Sequence, residues 1–224
     1  MTETSYIFLA GASRGVGREI AKCLVEKNQK VKAMLRTDAS RPELEAMGVQ
    51  IAIADAFDAA AVEQIMMAEP IDAVITTIGG VPQEGQRPDY LANKNLIDAA
   101  VKAGVKKFIL VTSIGTGNSV VALSPQALET LREVLAEKDK AEQHLMASGM
   151  TYTIIRPGGL KSEPATGNGV LTADPKVAGM IHRADVAQLV CRCLFSDAAN
   201  NQVLSAIDRN MPFGTPEFEE FVLN

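Results

Sequence analysis

The segment Tyr6-Ile-Phe-Leu-Ala-Gly11-Ala-Ser-Arg-Gly15-Val-Gly17-Arg-Glu-Ile20 constrains this chain more than any other. Its apolar, β-rich first part runs into three glycines spaced G-x-x-x-G-x-G. A helical pattern follows at once, at Val16, Ile20, Ala21, Leu24 and Val25. This order reads as a strand, a tight turn and a helix N-terminus. Glycines there let the backbone approach a pyrophosphate closely, and the free N–H groups and dipole of the helix start favour its negative charge. A glycine pattern set between a strand and a helix is far more specific than the pattern alone. It points to a dinucleotide site built on Gly11, Ser13, Arg14, Gly15, Val16 and Gly17. The competing reading is a glycine turn that only packs the helix on the sheet.

The rest of the chain fits that frame. Its 224 residues suit one large domain, here taken as 1–224. A net charge of −5 argues against a general nucleic-acid surface. No apolar run reaches the ~18–20 residues of a membrane span. The N-terminus lacks the basic region of a signal peptide. The three cysteines, Cys23, Cys191 and Cys193, form no spaced framework and suggest a reducing compartment, so a cytoplasmic protein is expected. Cys191 and Cys193 lie two apart in a helical stretch, where side chains diverge by ~200°, so no metal site is expected.

Strand-like and helix-like segments alternate to the end. Strands are expected at 6–10, 31–35, 49–54, 73–77, 107–112, 152–155 and 202–206. Helices are expected at 15–28, 59–67, 90–103, 125–148 and 184–196, with a short one at 42–47. Alternating β and α elements imply an α/β fold with a doubly wound parallel sheet, the Rossmann fold, in a single domain. Gly104 and Gly149 read as helix C-terminal caps. Three stretches, 79–88, 114–124 and 158–175, break the rhythm after strand ends, where such sheets bind ligands, and are expected to be substrate loops. The longest has the size of a lid; a plain surface loop is the alternative. The tail from Phe213 to Phe221 has aromatics that pack on a neighbour or fold back, which leaves monomer and homodimer both open.

The end of strand two selects the cofactor. NAD sites place an acid ~20 residues beyond the glycines, for the ribose 2′-OH; NADP sites use an arginine for the 2′-phosphate. Arg36 stands nineteen residues past Gly17. Arg14, inside the turn, reaches the same place, and two guanidinium forks suit a dianion. Asp38 dissents but lies past the strand end. The expected cofactor is NADP (as NADPH), with NAD second. Asp55, followed by Ala56 at the end of strand three, is placed to accept from the adenine amino group. The bland reading makes Asp55 a helix cap, a role Asp58 fills equally well.

Taken in order, further patches make the chain similar to the atypical, NAD(P)H-binding members of the short-chain dehydrogenase/reductase superfamily. That group includes flavin/biliverdin reductase B and the plastid translocon protein Tic62. Besides the glycine turn and Asp55, the patches are Asn93-Lys-Asn95-Leu-Ile-Asp-Ala-Ala100, Phe108-Ile-Leu-Val-Thr-Ser113, Lys138 followed by Glu142, Tyr152-Thr-Ile-Ile-Arg-Pro157-Gly-Gly159 and Ile181-His-Arg-Ala-Asp185-Val-Ala187. The resemblance covers nearly the whole chain. It implies that Thr77, Ile78 and Gly79 flank the ribose and nicotinamide, and that Pro157 and Gly158 meet the nicotinamide amide. It further implies that Ser113 polarises the substrate and that Lys138 bonds the nicotinamide ribose. The bland readings are a strand-end serine and a surface lysine.

One departure outweighs these likenesses. The superfamily's Tyr-x-x-x-Lys puts a proton-transferring tyrosine four residues before the lysine, but here Val134 stands there. Acid–base help is worth typically 10²–10⁴-fold, so ordinary ketone chemistry is disfavoured. An NADPH-dependent oxidoreductase is therefore expected to pass hydride to a small conjugated molecule (flavin, quinone or tetrapyrrole) that takes its proton from water. The alternative is a non-catalytic NADP(H)-binding redox sensor or scaffold. A nucleotide-sugar epimerase needs the missing tyrosine and a larger substrate domain. His182, Arg183 and Asp185 are expected to be structural, with Asp185 at a helix start and Arg183 paired locally.

Overall fold

The computed structural model describes residues 5–80, 82 and 85–224. The first four residues and positions 81, 83 and 84 of the expected loop 79–88 lie outside them.

The main sheet has eight strands in the order β3-β2-β1-β4-β5-β6-β10-β8. Its parallel part comprises β1 (Tyr6–Ala10), β2 (Val31–Leu35), β3 (Gln50–Ile53), β4 (Ile71–Thr76), β5 (Lys107–Val111), β6 (Thr151–Pro157) and β10 (Gln202–Asp208). From β1 the chain steps outward to β2 and β3, then returns to the other side of β1 with β4. This reversal opens a crevice at the carboxyl ends of β1 and β4, where doubly wound sheets take ligands.

Side-chain alternation along the buried strands makes two cores. Ile7 and Leu9 face one side, against Ile20 and Leu24 of α1 (Gly15–Glu26) and Val186 and Val190 of α6 (Arg183–Leu194). Phe8 and Ala10 face the other side. Their neighbours there include Val62 of α3 (Ala59–Met67), Leu96 and Ile97 of α4 (Pro88–Lys102) and Leu145 of α5 (Pro125–Ala147). A short α2 (Arg41–Ala46) precedes β3. Asp58, not Asp55, caps α3, accepting from the Ala60 and Ala61 amides. Gly104 and Gly149 follow α4 and α5 with φ of 69° and 77°, as expected of C-terminal caps.

The stretch 158–175 is more ordered than its composition suggests. It holds β7 (Gly159–Lys161) and β8 (Gly169–Thr172). Strand β7 pairs with β9 (Met180–His182) in a small second sheet, and β8 runs antiparallel along β10 as the last strand of the main sheet. Strands of three or four residues among Gly, Pro and Ser carry no readable periodicity. The C-terminal tail folds back onto this edge. The Phe221 amide donates to the Leu171 carbonyl at 2.7 Å, and Phe221 and Leu223 pack on the first core. An unpaired strand edge is thereby covered.

Candidate dinucleotide and acceptor site

The β1–α1 turn is fixed from three sides. Gly11 has φ of 90°, and a Cβ there would lie 2.5 Å from Thr77 Oγ1. A Cβ on Gly17 would lie 2.1 Å from the Gly11 carbonyl oxygen, so no other residue fits under the turn. The Thr77 amide donates to the Ala10 carbonyl at 3.0 Å, and its hydroxyl donates to the Gly11 carbonyl at 3.3 Å. Helix α1 thus begins in the crevice. It has no side-chain cap and no acidic residue in its first turn. Its open amides and positive dipole end are left for an anion.

One cleft of about 1130 Å³ runs along the carboxyl ends of the central strands. Ligand pockets are ordinarily about 300–1,000 Å³, so this one is large enough for an extended ligand. The turn contributes Gly11, Ser13, Arg14, Gly15 and Val16 to its lining. The end of β2 adds Arg36 and Thr37, the end of β3 adds Asp55 and Ala56, and the end of β4 adds Thr77, Ile78 and Gly79. Ser113, Lys138 and Pro157 line the other half. Two expected residues stand outside the lining. Gly17 sits beneath the turn, and Gly158 packs against Gly179, whose carbonyl oxygen would be 2.1 Å from a Cβ there.

Asp38 turns away from the cleft. It is paired with Arg41 at 2.5 Å, and it is Thr37, Ala39 and Ser40 that line the wall beside Arg36. Asp55 orients its own loop, accepting from the Phe57 amide at 2.9 Å. Asn95 of α4 holds the same loop by donating to the Ala56 carbonyl.

Residues 77–79 are held by groups that pattern reading did not single out for this work. Asn93 of α4 donates to the Ile78 carbonyl at 3.1 Å and accepts from the Thr76 hydroxyl at 2.8 Å. Asp89, in the first turn of α4, is fully buried. Its carboxylate lies 2.9 Å from Lys138 Nζ and accepts from the Gly80 amide. A Cβ on Gly79 would be 2.6 Å from Asp89 Oδ1 and 2.9 Å from Lys138 Nζ, so the lysine head rests on the Gly79 backbone. Lys138 is therefore no free surface charge. Only its spacing to Asp89, across 49 residues, kept the pair out of sight in the sequence.

Glu142, one turn beyond Lys138, is also fully buried. It accepts from Thr112 Oγ1 at 2.6 Å, Arg156 Nε at 3.1 Å and Arg156 Nη2 at 2.6 Å. Arg156 donates on to Asn118 at 2.6 Å. This network ties β5, α5, β6 and the 114–124 segment together just behind Ser113.

Val134 lines the cleft one turn before Lys138. No tyrosine is among the described residues of the lining. Tyr90 packs edge-on to His144, and Tyr6 and Tyr152 belong to strands.

Asp185 has a packing partner. Its carboxylate accepts from the Thr166 and Gly167 amides at 2.9 and 2.8 Å, tying the start of α6 to the loop before β8. With His182 and Asp208 it forms a group of possible metal donors, but Asp208 is likewise engaged, by Thr166 Oγ1 and the Asn210 amide. Cys191 and Cys193 face different neighbours. The Cys191 thiol hydrogen-bonds Cys23 of α1, while Cys193 is buried beside Lys107. The Cys191 contact lowers the Cys23 thiol to about 7, and burial pushes Cys193 up to about 12.

Residues 11–197 match the NAD(P)H-binding family, and the chain belongs to it, among the atypical short-chain dehydrogenases/reductases. YhfK of Bacillus subtilis (strain 168), named as an uncharacterized sugar epimerase, is 31% identical over 92% of this chain and 95% of its own. Sanguinarine reductase of Eschscholzia californica is 31% identical over 88% of this chain and 86% of its own. Among solved structures, the anaerobilin reductase ChuY of Escherichia coli O157:H7 is 34% identical. It superimposes with a TM-score of 0.83 over 95% of this chain and all of the other. Among the described residues, no helix is long and apolar enough to cross a membrane.

Proposed function

We propose that this protein is an NADPH-dependent reductase that acts on small, flat, conjugated acceptors and does so without a tyrosine acid. The observation that carries the reading is Val134. It puts an apolar side chain in the cleft where a ketone reductase of this superfamily needs a phenol, one turn from Lys138. Reduced nicotinamide, when bound, supplies a hydride. The residues here do the remaining work.

The glycine turn and the uncapped start of α1 suit a pyrophosphate. Arg14 and Arg36, with Ser13, Thr37 and Ser40 beside them, suit a 2′-phosphate, while Asp38 is engaged by Arg41. Lys138, set by Asp89 against Gly79, would bond the ribose hydroxyls. Ser113 would donate to the acceptor and orient it over the nicotinamide position. A conjugated acceptor spreads the added electron pair over its own framework, so water can deliver the proton afterwards. The reductase names of the anaerobilin and sanguinarine relatives support acceptors other than simple ketones. An epimerase would meet the same absence of a phenol.

The test follows NADPH absorbance with a quinone, a free flavin, a linear tetrapyrrole and a simple aliphatic ketone. Turnover with a conjugated acceptor and little with the ketone is expected. NADPH binding without consumption above the protein-free rate would refute the reductase and leave a non-catalytic NADP(H) sensor or scaffold.

A further inference from the structure

Arg183 opens α6, more than 160 residues downstream of the glycine turn, yet its side chain lies across the cleft against that turn. Its Nε and Cδ are 3.7 and 3.9 Å from where a Cβ on Gly15 would stand. Two contacts hold it there. Its Nη1 donates to Ser162 Oγ at 2.7 Å and to the Leu160 carbonyl at 3.4 Å. Leu160, Ser162 and Arg183 form the cleft wall facing the glycine turn.

This placement is electrostatically costly in isolation. A cation near a helix N-terminus opposes the dipole. Arg183 is itself the first residue of α6 and also sits against the first residue of α1. Arg14 is the residue just before α1, and no acidic residue occupies the first turn of that helix. Helix α6 carries its own acid in the first turn, the buried Asp185, whose carboxylate accepts from the Thr166 and Gly167 amides rather than from Arg183. Arg18, the other arginine of the α1 start, is neutralised by Glu43 at 2.9 Å. Among the described residues, the hydrogen-bond partners of Arg183 are neutral oxygens. An anion lying on the Gly15 turn would meet the uncapped, acid-free start of α1 and the Arg183 guanidinium at once.

We infer that Arg183 is a direct ligand of the dinucleotide pyrophosphate. It closes over the phosphates from the α6 side while the amides of the α1 start hold them from below. Leu160 and Ser162, on and beside β7, act as positioning groups that keep the guanidinium forward. This rests on the dinucleotide reading of the cleft proposed above and adds to it a wall supplied by the C-terminal half of the chain. A guanidinium fork matches two phosphate oxygens, which a lysine cannot do.

The experiment measures the dissociation constants of NADPH and of 2′-AMP, which carries the adenine and 2′-phosphate but no pyrophosphate. They are compared in the wild type, Arg183→Met, Arg183→Lys and Arg36→Asp. Arg183→Met is expected to weaken NADPH about ten- to a hundredfold, the loss of a charge-assisted contact, and to leave 2′-AMP within about twofold. Arg183→Lys should recover part of the loss. Arg36→Asp should weaken both ligands, which shows that the two sites report separately. Unchanged NADPH affinity in Arg183→Met overturns the inference while wild-type binding leaves the site reading standing. Equal losses for both ligands also overturn it, since they mark a general disturbance. A wild-type protein that binds neither ligand overturns the site reading itself.

Discussion

Replacing Glu142 by Gln strikes the buried network that joins α5, the lysine-bearing helix, to Thr112 and to Arg156 of β6. The change keeps the shape of the side chain but removes its charge. Glu142 is fully buried and Arg156 is 5% exposed, so the guanidinium loses its counter-ion where water cannot replace it. The carboxylate now takes two donors from Arg156 and one from Thr112. An amide oxygen cannot serve all three, and the amide NH₂ would face Arg156 donor to donor. Leaving a buried charge unpaired costs about 3–5 kcal/mol. Whole-protein stability is of order 5–15 kcal/mol, so this one change removes a large share of it. For a chain of this size, about 2–4 °C per kcal/mol converts the loss to roughly 6–20 °C in Tm. Thermal melts and urea titration check both figures. A cycle with Arg156→Met and the double variant then isolates the pair, and the double variant should be more stable than the sum of the singles implies. A Glu142→Gln protein within about 1 kcal/mol of the wild type, or strictly additive singles, would refute the reasoning, because either result means the network is solvated.

Arg36→Asp should lower NADPH affinity about ten- to a hundredfold with little effect on NADH, as a titration with each cofactor shows. Equal affinity losses for both would place the 2′-phosphate elsewhere. Val134→Tyr restores a phenol one turn before Lys138 and should raise ketone reduction at least about tenfold relative to quinone reduction, within the range of acid catalysis. A variant that binds NADPH normally but shows no gain would detach ketone activity from the missing tyrosine. Cys23 should alkylate fastest among the three cysteines. Its thiol is depressed to about 7, so the reactive thiolate forms as pH rises through that value, and labelling by iodoacetamide should climb there and then level. Cys191, raised by its bond to Cys23, and Cys193, raised by burial, should stay unlabelled in the folded protein.

How much of this was legible follows from the range of each interaction. Helix and strand positions rest on local periodicity, and the boundaries expected for β1, β2 and α3 agree with the structure residue for residue. Strand β3 is one residue shorter at each end than the expected 49–54, because Val49 and Ala54 are buried like strand residues though they lie outside it. Strands β7, β8 and β9 were invisible, since pairing alone makes three or four irregular residues extended. The motif residues along the cleft were readable because glycine turns and strand ends have local signatures. The groups that set their geometry were not. Asp89 meets Lys138, Glu142 meets Arg156 and Arg183 meets Gly15 only through tertiary contact. For Arg183 a local pairing was expected; its partners are Leu160 and Ser162 more than twenty residues upstream. A usable signal was present in Arg183, a basic residue opening a helix against the dipole.

The charges of the cleft bear on what such a site can select. The chain as a whole is acidic, at −5, yet the charged residues of the described lining are Arg14, Arg36, Lys138 and Arg183 against Asp55 alone. These cations gather along the part that a phosphorylated dinucleotide would occupy, so recognition there is polar and demanding. The part of the lining that carries Ser113 is more apolar: it also holds Val111, Val134 and Pro157, with Thr112 turned to Glu142 and Lys138 paired with Asp89. An apolar wall discriminates weakly, by about 1–3 kcal/mol for a methylene, whereas a site that must satisfy buried polar groups rejects poor matches far more strongly. Losing the tyrosine removes such a polar requirement together with the acid. On the reading argued above, the protein should therefore be strict about its cofactor and permissive about its acceptor, with flatness and electron affinity mattering more than any single functional group.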